Sequence, residues 1–337
     1  MRFTALCLAL CLPVAAVAQS ASDIVQDAVR DHILPRYTAL AASGDALEDA
    51  ARADCTATNP ALREAYQAAF DAWVSASHLR FGPSETGDRA FALAFWPDTR
   101  GLTPRSLRGL IADADPGVDS ASAFADVSIA ARGFYALELM LYDADMQALG
   151  DSAYRCRLVQ VMAADIAALS HAILSDWQDG YAAALQNPGQ GSPYRTEDEA
   201  VQELFKALTY GLQFTADTRL GRPLGSFDAP HPKRAEAWRA GRPLRNVALS
   251  LEALGDLAAI LAQGDPALAE AVQAGFASAV QDAAALDDPL FAGVADPQGR
   301  LRVESLQRAI NNVRDIVQAD LGPHLGVASG FNAMDGD

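Results

Sequence analysis

The chain is nearly devoid of lysine. Of its 26 basic residues only Lys206 and Lys233 are lysines, and against 43 acids they leave a net charge of −17. A surface this acidic repels phosphate backbones, which excludes nucleic acid as a partner. Cysteine is scarce as well. Cys7, Cys11, Cys55 and Cys156 form no CxxC pair and share no Cys/His spacing of the kind that holds zinc. Beyond the N-terminus no apolar run reaches the ~20 residues needed to span a bilayer, so no transmembrane segment is expected. Alternating strand patterns bounded by tight glycine turns are absent. Also missing are HExxH, the phosphate-cradling GxxxxGK[ST], GxGxxG and the GxSxG nucleophile elbow. What is present is apolar bulk. Half the residues are hydrophobic and a fifth charged, enough buried surface to offset chain entropy and exclude wholesale disorder.

The N-terminus carries an address. Met1-Arg2, an apolar stretch from Phe3 to Val17 and a small-x-small ending at Ala16-Val17-Ala18 form a secretory signal, residues 1–18, with cleavage expected after Ala18. Leu6 and Leu10, before Cys7 and Cys11, are too bulky for a lipoprotein site, so a soluble periplasmic or secreted product is predicted. The mature chain then keeps Cys55 and Cys156. In an oxidising compartment two such cysteines pair, with two buried thiols or a shared metal as the alternatives.

Helical periodicity runs nearly throughout, which predicts an all-α fold. Asn59-Pro60 is a cap followed by an N1 proline, and Leu62, Tyr66, Phe70, Trp73 and Val74 then share one face. Helices are expected over 122–142 and 154–181. A capping box at Thr196–Glu199 opens another over 200–214. Three more are expected over 245–263, 266–286 and 301–320. The Gly/Pro/Ser-rich stretch 187–194 divides the chain into two four-helix-bundle-like halves, 19–186 and 195–337. Two Pro/Gly-rich stretches, 81–109 and 220–243, hold tryptophans and many arginines, which marks them as functional loops. His171, on an apolar helix, reads as a hydrogen-bonded core or rim residue. The acidic run 113–119 reads as a solvated turn, because it lacks the twelfth-position glutamate of a calcium loop.

The informative segment is Gly133-Phe134-Tyr135-Ala136-Leu137-Glu138, running on to Tyr142. On a helix Tyr135, Glu138 and Tyr142 share a face. A carboxylate and a phenol side by side suit a hard cation or a polar ligand. The same spacing also fits tyrosines at a bundle rim with Glu138 paired to an arginine.

This segment resembles the GxHxxE hallmark of the imelysin-like family, with Tyr135 where the family has histidine. Phe95-Trp96-Pro97-Asp98, the stretch Arg219 to Gly225, the stretch Glu236 to Arg242 and the C-terminal residues 330–337 are also similar to family segments. The resemblance therefore extends over essentially the mature chain. It implies two packed helical bundles with the functional pocket between them near the motif, in an exported, often iron-regulated protein related to periplasmic iron-uptake components. On that basis Tyr135 and Glu138 are the candidate metal or ligand site, and Trp96, Asp98, Arg219, Glu236 and Arg239 the candidate pocket wall.

Three functions follow. The first is a non-enzymatic periplasmic protein serving iron acquisition, with iron or another divalent cation at Tyr135 and Glu138. Phenolate and carboxylate oxygens suit ferric iron, whereas zinc hydrolases favour imidazole. The second is an imelysin-type metallopeptidase, with His78 and His231 recruited if folding gathers them. The third is an envelope protein that binds an organic carboxylate or a partner protein through arginine-rich loops (Arg100, Arg105, Arg108; Arg234, Arg239, Arg242, Arg245).

Overall fold

A computed structural model of the chain describes residues 20–327. The predicted signal segment 1–18, its cleavage point near Ala18 and the C-terminal segment 330–337 lie outside the described residues. The fold is all-α, and no strand occurs among the described residues.

Ten helices carry the architecture: α1 (Ala21–Asp27), α2 (Leu34–Ala53), α3 (Pro60–Ala76), α4 (Leu102–Asp113), α5 (Gly133–Tyr142), α6 (Ser152–Asp176), α7 (Glu197–Gln213), α8 (Pro243–Leu261), α9 (Pro266–Ala285) and α10 (Pro297–Ile316). Their starts are chemical. The side chains of Asn59, Asp151, Thr196, Asp265 and Asp296 each accept a hydrogen bond from a backbone N–H of the first turn, satisfying donors the helix itself leaves open. The expected helix over 122–142 is broken. A short turn of helix over Ala121–Ala125 and a 3₁₀ turn over Ile129–Ala131 precede α5, which starts at Gly133.

Helices α2, α3, α5 and α6 pack on one another, as do α7, α8, α9 and α10. Helix α8 also lies against α3, and α1, though first in the chain, packs on α7 and α8. The apolar faces of both groups merge in one continuous core. At its centre Phe70 of α3 stacks on Phe134 of α5, ring centroids 4.8 Å apart. Helix α6 and the turns after it are apolar and long enough to cross a bilayer by composition, and a central position accounts for this: over half of that window is buried by neighbouring helices. Its Asp165 forms a buried bidentate pair with Arg132, at 2.6 and 2.9 Å.

Cys55, just beyond α2, is disulfide-bonded to Cys156 of α6, 101 residues on. In the chain-entropy account a closure of that length stabilises the fold by at most about 4–5 kcal/mol.

Four turns of π-helix interrupt or extend the helices, at Ala28–Ile33, Trp177–Tyr181, Phe214–Leu220 and Val317–Leu321. Such bulges insert an extra residue and re-aim the side chains around it. The one at Phe214–Leu220 carries Arg219.

Candidate functional site

Helix α5 enters the site through a glycine. Gly133 adopts φ +73° and lies directly over the carbonyls of Ala92 and Leu93, so the helix begins pressed onto the loop that leads to Trp96. Two residues on, Tyr135 points at the segment Ala235–Arg242. Its hydroxyl donates a short hydrogen bond to Glu236, whose other oxygen accepts from Arg219 Nε at 2.7 Å. Arg219 and Glu236 are both buried, and the guanidinium lies 4.8 Å from the centre of the Phe214 ring. Burial first and the Glu236 charge second push the Tyr135 phenol well above its ordinary value, so it stays protonated and serves as a donor.

One turn later, Glu138 meets the same segment differently. Ala237 takes a left-handed conformation (φ +45°), and the 3₁₀ turn Trp238–Ala240 that follows aims its N–H groups at the carboxylate. The N–H groups of Arg239 and Ala240 donate to Glu138 Oε1 at 2.9 and 3.1 Å. Burial raises Glu138 to about 7, against the opposing pull of those N–H groups and of the Arg239 charge. The Arg239 guanidinium is turned away and pairs with Asp143 at 2.7 Å. Tyr142, on the same helical face, accepts from Gln67 at 3.1 Å.

Tyr135 and Glu138 line a pocket of about 210 Å³ together with Trp96, Asp98, Arg239 and, from the segments Gly221–Leu224 and Pro232–Arg234, Arg222, Lys233 and Arg234. Its walls therefore come from both sides of the 187–194 linker. Trp96 stacks on Tyr135, ring centroids 6.0 Å apart, next to a cis Trp96–Pro97 bond. Asp98 accepts from the N–H groups of Arg100, Leu102 and Thr103 at 3.2, 3.0 and 2.8 Å, capping α4. Of the candidate wall residues, Trp96, Asp98 and Arg239 line the cavity, while Arg219 and Glu236 lie behind Tyr135 as its support.

Other residues singled out in the sequence lie elsewhere. Arg242 is fully buried and bonded to Gln67, Asp71 and Asn246, and Arg245 also pairs with Asp71. Arg100, Arg105 and Arg108 are exposed and outside the pocket lining. His171 is hydrogen-bonded at the rim, its Nε2 2.8 Å from Asp45. His78 is buried with His32, their Nε2 atoms 2.8 Å apart, and burial holds both imidazoles well below their usual value, so the pair is neutral. Sequence reasoning missed Arg222 and Lys233. Arg222 stands three residues after Arg219, and Lys233 is one of two lysines in the chain; those were the available signals.

The donor set does not suit a resident metal ion. Among the described residues no three His, Cys, Asp or Glu side chains converge on a point where an ion could sit. Glu138, Glu236 and Asp98 already accept structural hydrogen bonds, and the cavity beside them is lined with cations.

The raised carboxyl has a measurable consequence. A folded-state value near 7, above the ordinary 4.5, means the fold prefers Glu138 protonated. That contribution is fully present below about pH 4.5 and is lost as pH rises through 7, amounting to about 3 kcal/mol. Glu138→Gln keeps an acceptor for both N–H groups and removes the ionisation. The variant is expected to match the parent near pH 5 and to be more stable by about 1–3 kcal/mol at pH 8. Urea denaturation at the two pH values measures this, and equal stabilities at pH 8 would contradict it.

Two groups of packed helices with a polar pocket lined from both sides of the linker define an all-α helical-bundle protein. The chain belongs to the imelysin family: the family's sequence profile matches residues 33–317. Iron-regulated protein A of Synechococcus elongatus is 26% identical over 327 residues, covering 89% of this chain and 85% of that protein. The fold is shared with an imelysin-like protein from Psychrobacter arcticum (TM-score 0.77, 21% identity, 94% of this chain and all of that one). It is also shared with a protein from Parabacteroides distasonis described as an iron-regulated protein A precursor (TM-score 0.72, 15% identity, 89% and 94%).

Proposed function

We propose that the chain is an exported binding protein with a role in iron acquisition, and that its ligand sits in the pocket formed by Trp96, Tyr135, Glu138 and the cationic segment opposite. The observation that carries this reading is the state of the pocket's acids. Both oxygens of Glu236 and of Asp98 and one oxygen of Glu138 are engaged in structural hydrogen bonds, and the groups that face them across the pocket are cations suited to hold an anionic ligand. The peptidase reading has no such support, because His78 is locked to His32 and no metal-ligand cluster forms among the described residues. The names of the relatives supply the link to iron, and the secretory signal together with the relative described as a precursor supports export.

Deleting the gene in the source organism tests this reading. Growth under iron starvation by a permeable chelator is expected to slow and to be restored by the wild-type gene. Pro104→Trp, which pushes an indole into the cavity without removing a polar contact, is expected not to restore it. Normal growth of the deletion strain under starvation would overturn the iron role, and chelator-sensitive casein cleavage by the pure protein would overturn the binding role.

A further inference from the structure

Several basic residues form no ion pair among the described residues, the exposed Arg100, Arg105 and Arg108 among them. Three others line this pocket. Arg222, Lys233 and Arg234 form no ion pair among the described residues, whereas the neighbouring Arg219, Arg239, Arg242 and Arg245 all do. Arg222 lies 5.7 Å from the centre of the Trp96 ring, and its Nε is buried with no hydrogen-bond partner. Burial first and the like charge of Arg234 second pull Arg222 below its ordinary value. Lys233 lies 5.6 Å from the centre of the Trp238 ring, above the turn that clamps Glu138. An unpaired desolvated donor beside a like charge is costly, and a negatively charged ligand relieves both penalties.

The rest of the cavity narrows the class. Trp96, Trp238 and Leu139 give it apolar walls, which a bare inorganic ion leaves unused and a carbon skeleton covers. About 210 Å³ is the liquid volume of about seven waters, enough for a small organic molecule. Guanidinium forks match planar carboxylates with two parallel hydrogen bonds. Tyr135 and Glu138 add polar atoms at the cavity floor.

We infer that this pocket binds a small organic anion bearing two or more carboxylates, gripped by Arg222, Lys233 and Arg234 against the Trp96 and Trp238 walls. The inference rests on the reading of this pocket as the ligand seat and adds the ligand's chemistry to it. Iron would then reach the protein as an anionic chelate and not as a bare cation.

Calorimetric titration of the oxidised mature protein with citrate, in metal-free low-salt buffer, tests the inference. Citrate is expected to bind with one site and to weaken as salt is added, since the attraction between exposed charges is screened. The double variant Arg222→Gln/Arg234→Gln is expected to bind at least tenfold more weakly, while Arg108→Gln, outside the cavity, binds as the parent does. Circular dichroism checks that the variants fold; should the double variant fail to, Lys233→Gln on the exposed turn serves in its place, with a loss of at least threefold. Absence of citrate binding at millimolar concentration, undiminished binding by the folded variants, or sulfate binding more tightly than citrate would each overturn it. A failure here with the Pro104→Trp growth defect intact sinks only the anion. Normal growth of the deletion strain with citrate binding intact sinks only the iron role.

Discussion

Glu236→Ala is expected to lower the unfolding free energy by about 3–5 kcal/mol, the range found when one partner of a buried ion pair is removed. The reason lies in what remains. Arg219 is buried, and apart from Glu236 its guanidinium reaches only the Thr215 and Ser77 hydroxyls, each at 3.4 Å. Without the carboxylate, a charge has to stay desolvated or drag water into the core beneath the pocket. Tyr135 loses its acceptor at the same time. Two further variants separate charge from shape. Glu236→Gln keeps an acceptor and is expected to cost less than Glu236→Ala. The double variant Arg219→Met/Glu236→Leu removes both charges and is expected to recover most of the loss. Denaturant melts of the parent, Arg219→Met, Glu236→Leu and the double variant form a double-mutant cycle. Additive single effects would show that the pair is not coupled.

Much of the scaffold was written locally. Caps of the Asn-Pro and Asp-Pro type announce α3 and α9, and the capping box at Thr196 announces α7, because the first turn's open N–H groups have to be met by nearby side chains. The broken helix before α5 was less legible. Residues 122–132 are compatible with helix in composition. The breaks fall after Asp126, at Ser128 and at the extended Arg132, the last followed by Gly133, which takes a positive φ against the 92–93 carbonyls. The site divides along the same line. That Tyr135 and Glu138 share a helical face followed from spacing alone. That Glu236 bonds Tyr135 across 101 residues, that Glu138 is clamped by backbone N–H groups, and that Asp98 is spent on a cap are long-range or backbone facts without periodicity. The arginine-rich loops show the limit most clearly. Arginines of one segment have opposite fates, since Arg242 is sealed against Asp71 while Arg234 faces the pocket unpaired, and only the fold decides which acid each one meets.

Gly133→Ala is expected to be among the most damaging single-atom changes available, costing about 4 kcal/mol or more, a size that marks a specific structural conflict. Two penalties combine. At φ +73° an L-residue enters left-handed backbone, worth about 1–2 kcal/mol. The added Cβ would also stand 2.2 Å from the Leu93 carbonyl oxygen and 2.3 Å from that of Ala92, and backbone cannot swing aside as a long side chain does. Relief therefore means lifting the start of α5 off the 92–93 loop. That lift carries Tyr135 away from Glu236 and unstacks it from Trp96. The motif glycine thus acts on the pocket as well as on stability: it lets the helix sit close enough for its phenol and carboxylate to reach the opposite segment. Gly109 supplies the control, since it lies inside α4 with open space where a Cβ would be. Gly109→Ala is expected to stabilise by about 0.5–1 kcal/mol, the cost of glycine in a helix interior. Thermal melts of the two variants should therefore move in opposite directions, and Gly133→Ala should also alter Trp96 fluorescence. A Gly133→Ala protein as stable as its parent would mean that α5 does not rest on the 92–93 carbonyls, and the close approach that assembles the pocket would have to be abandoned.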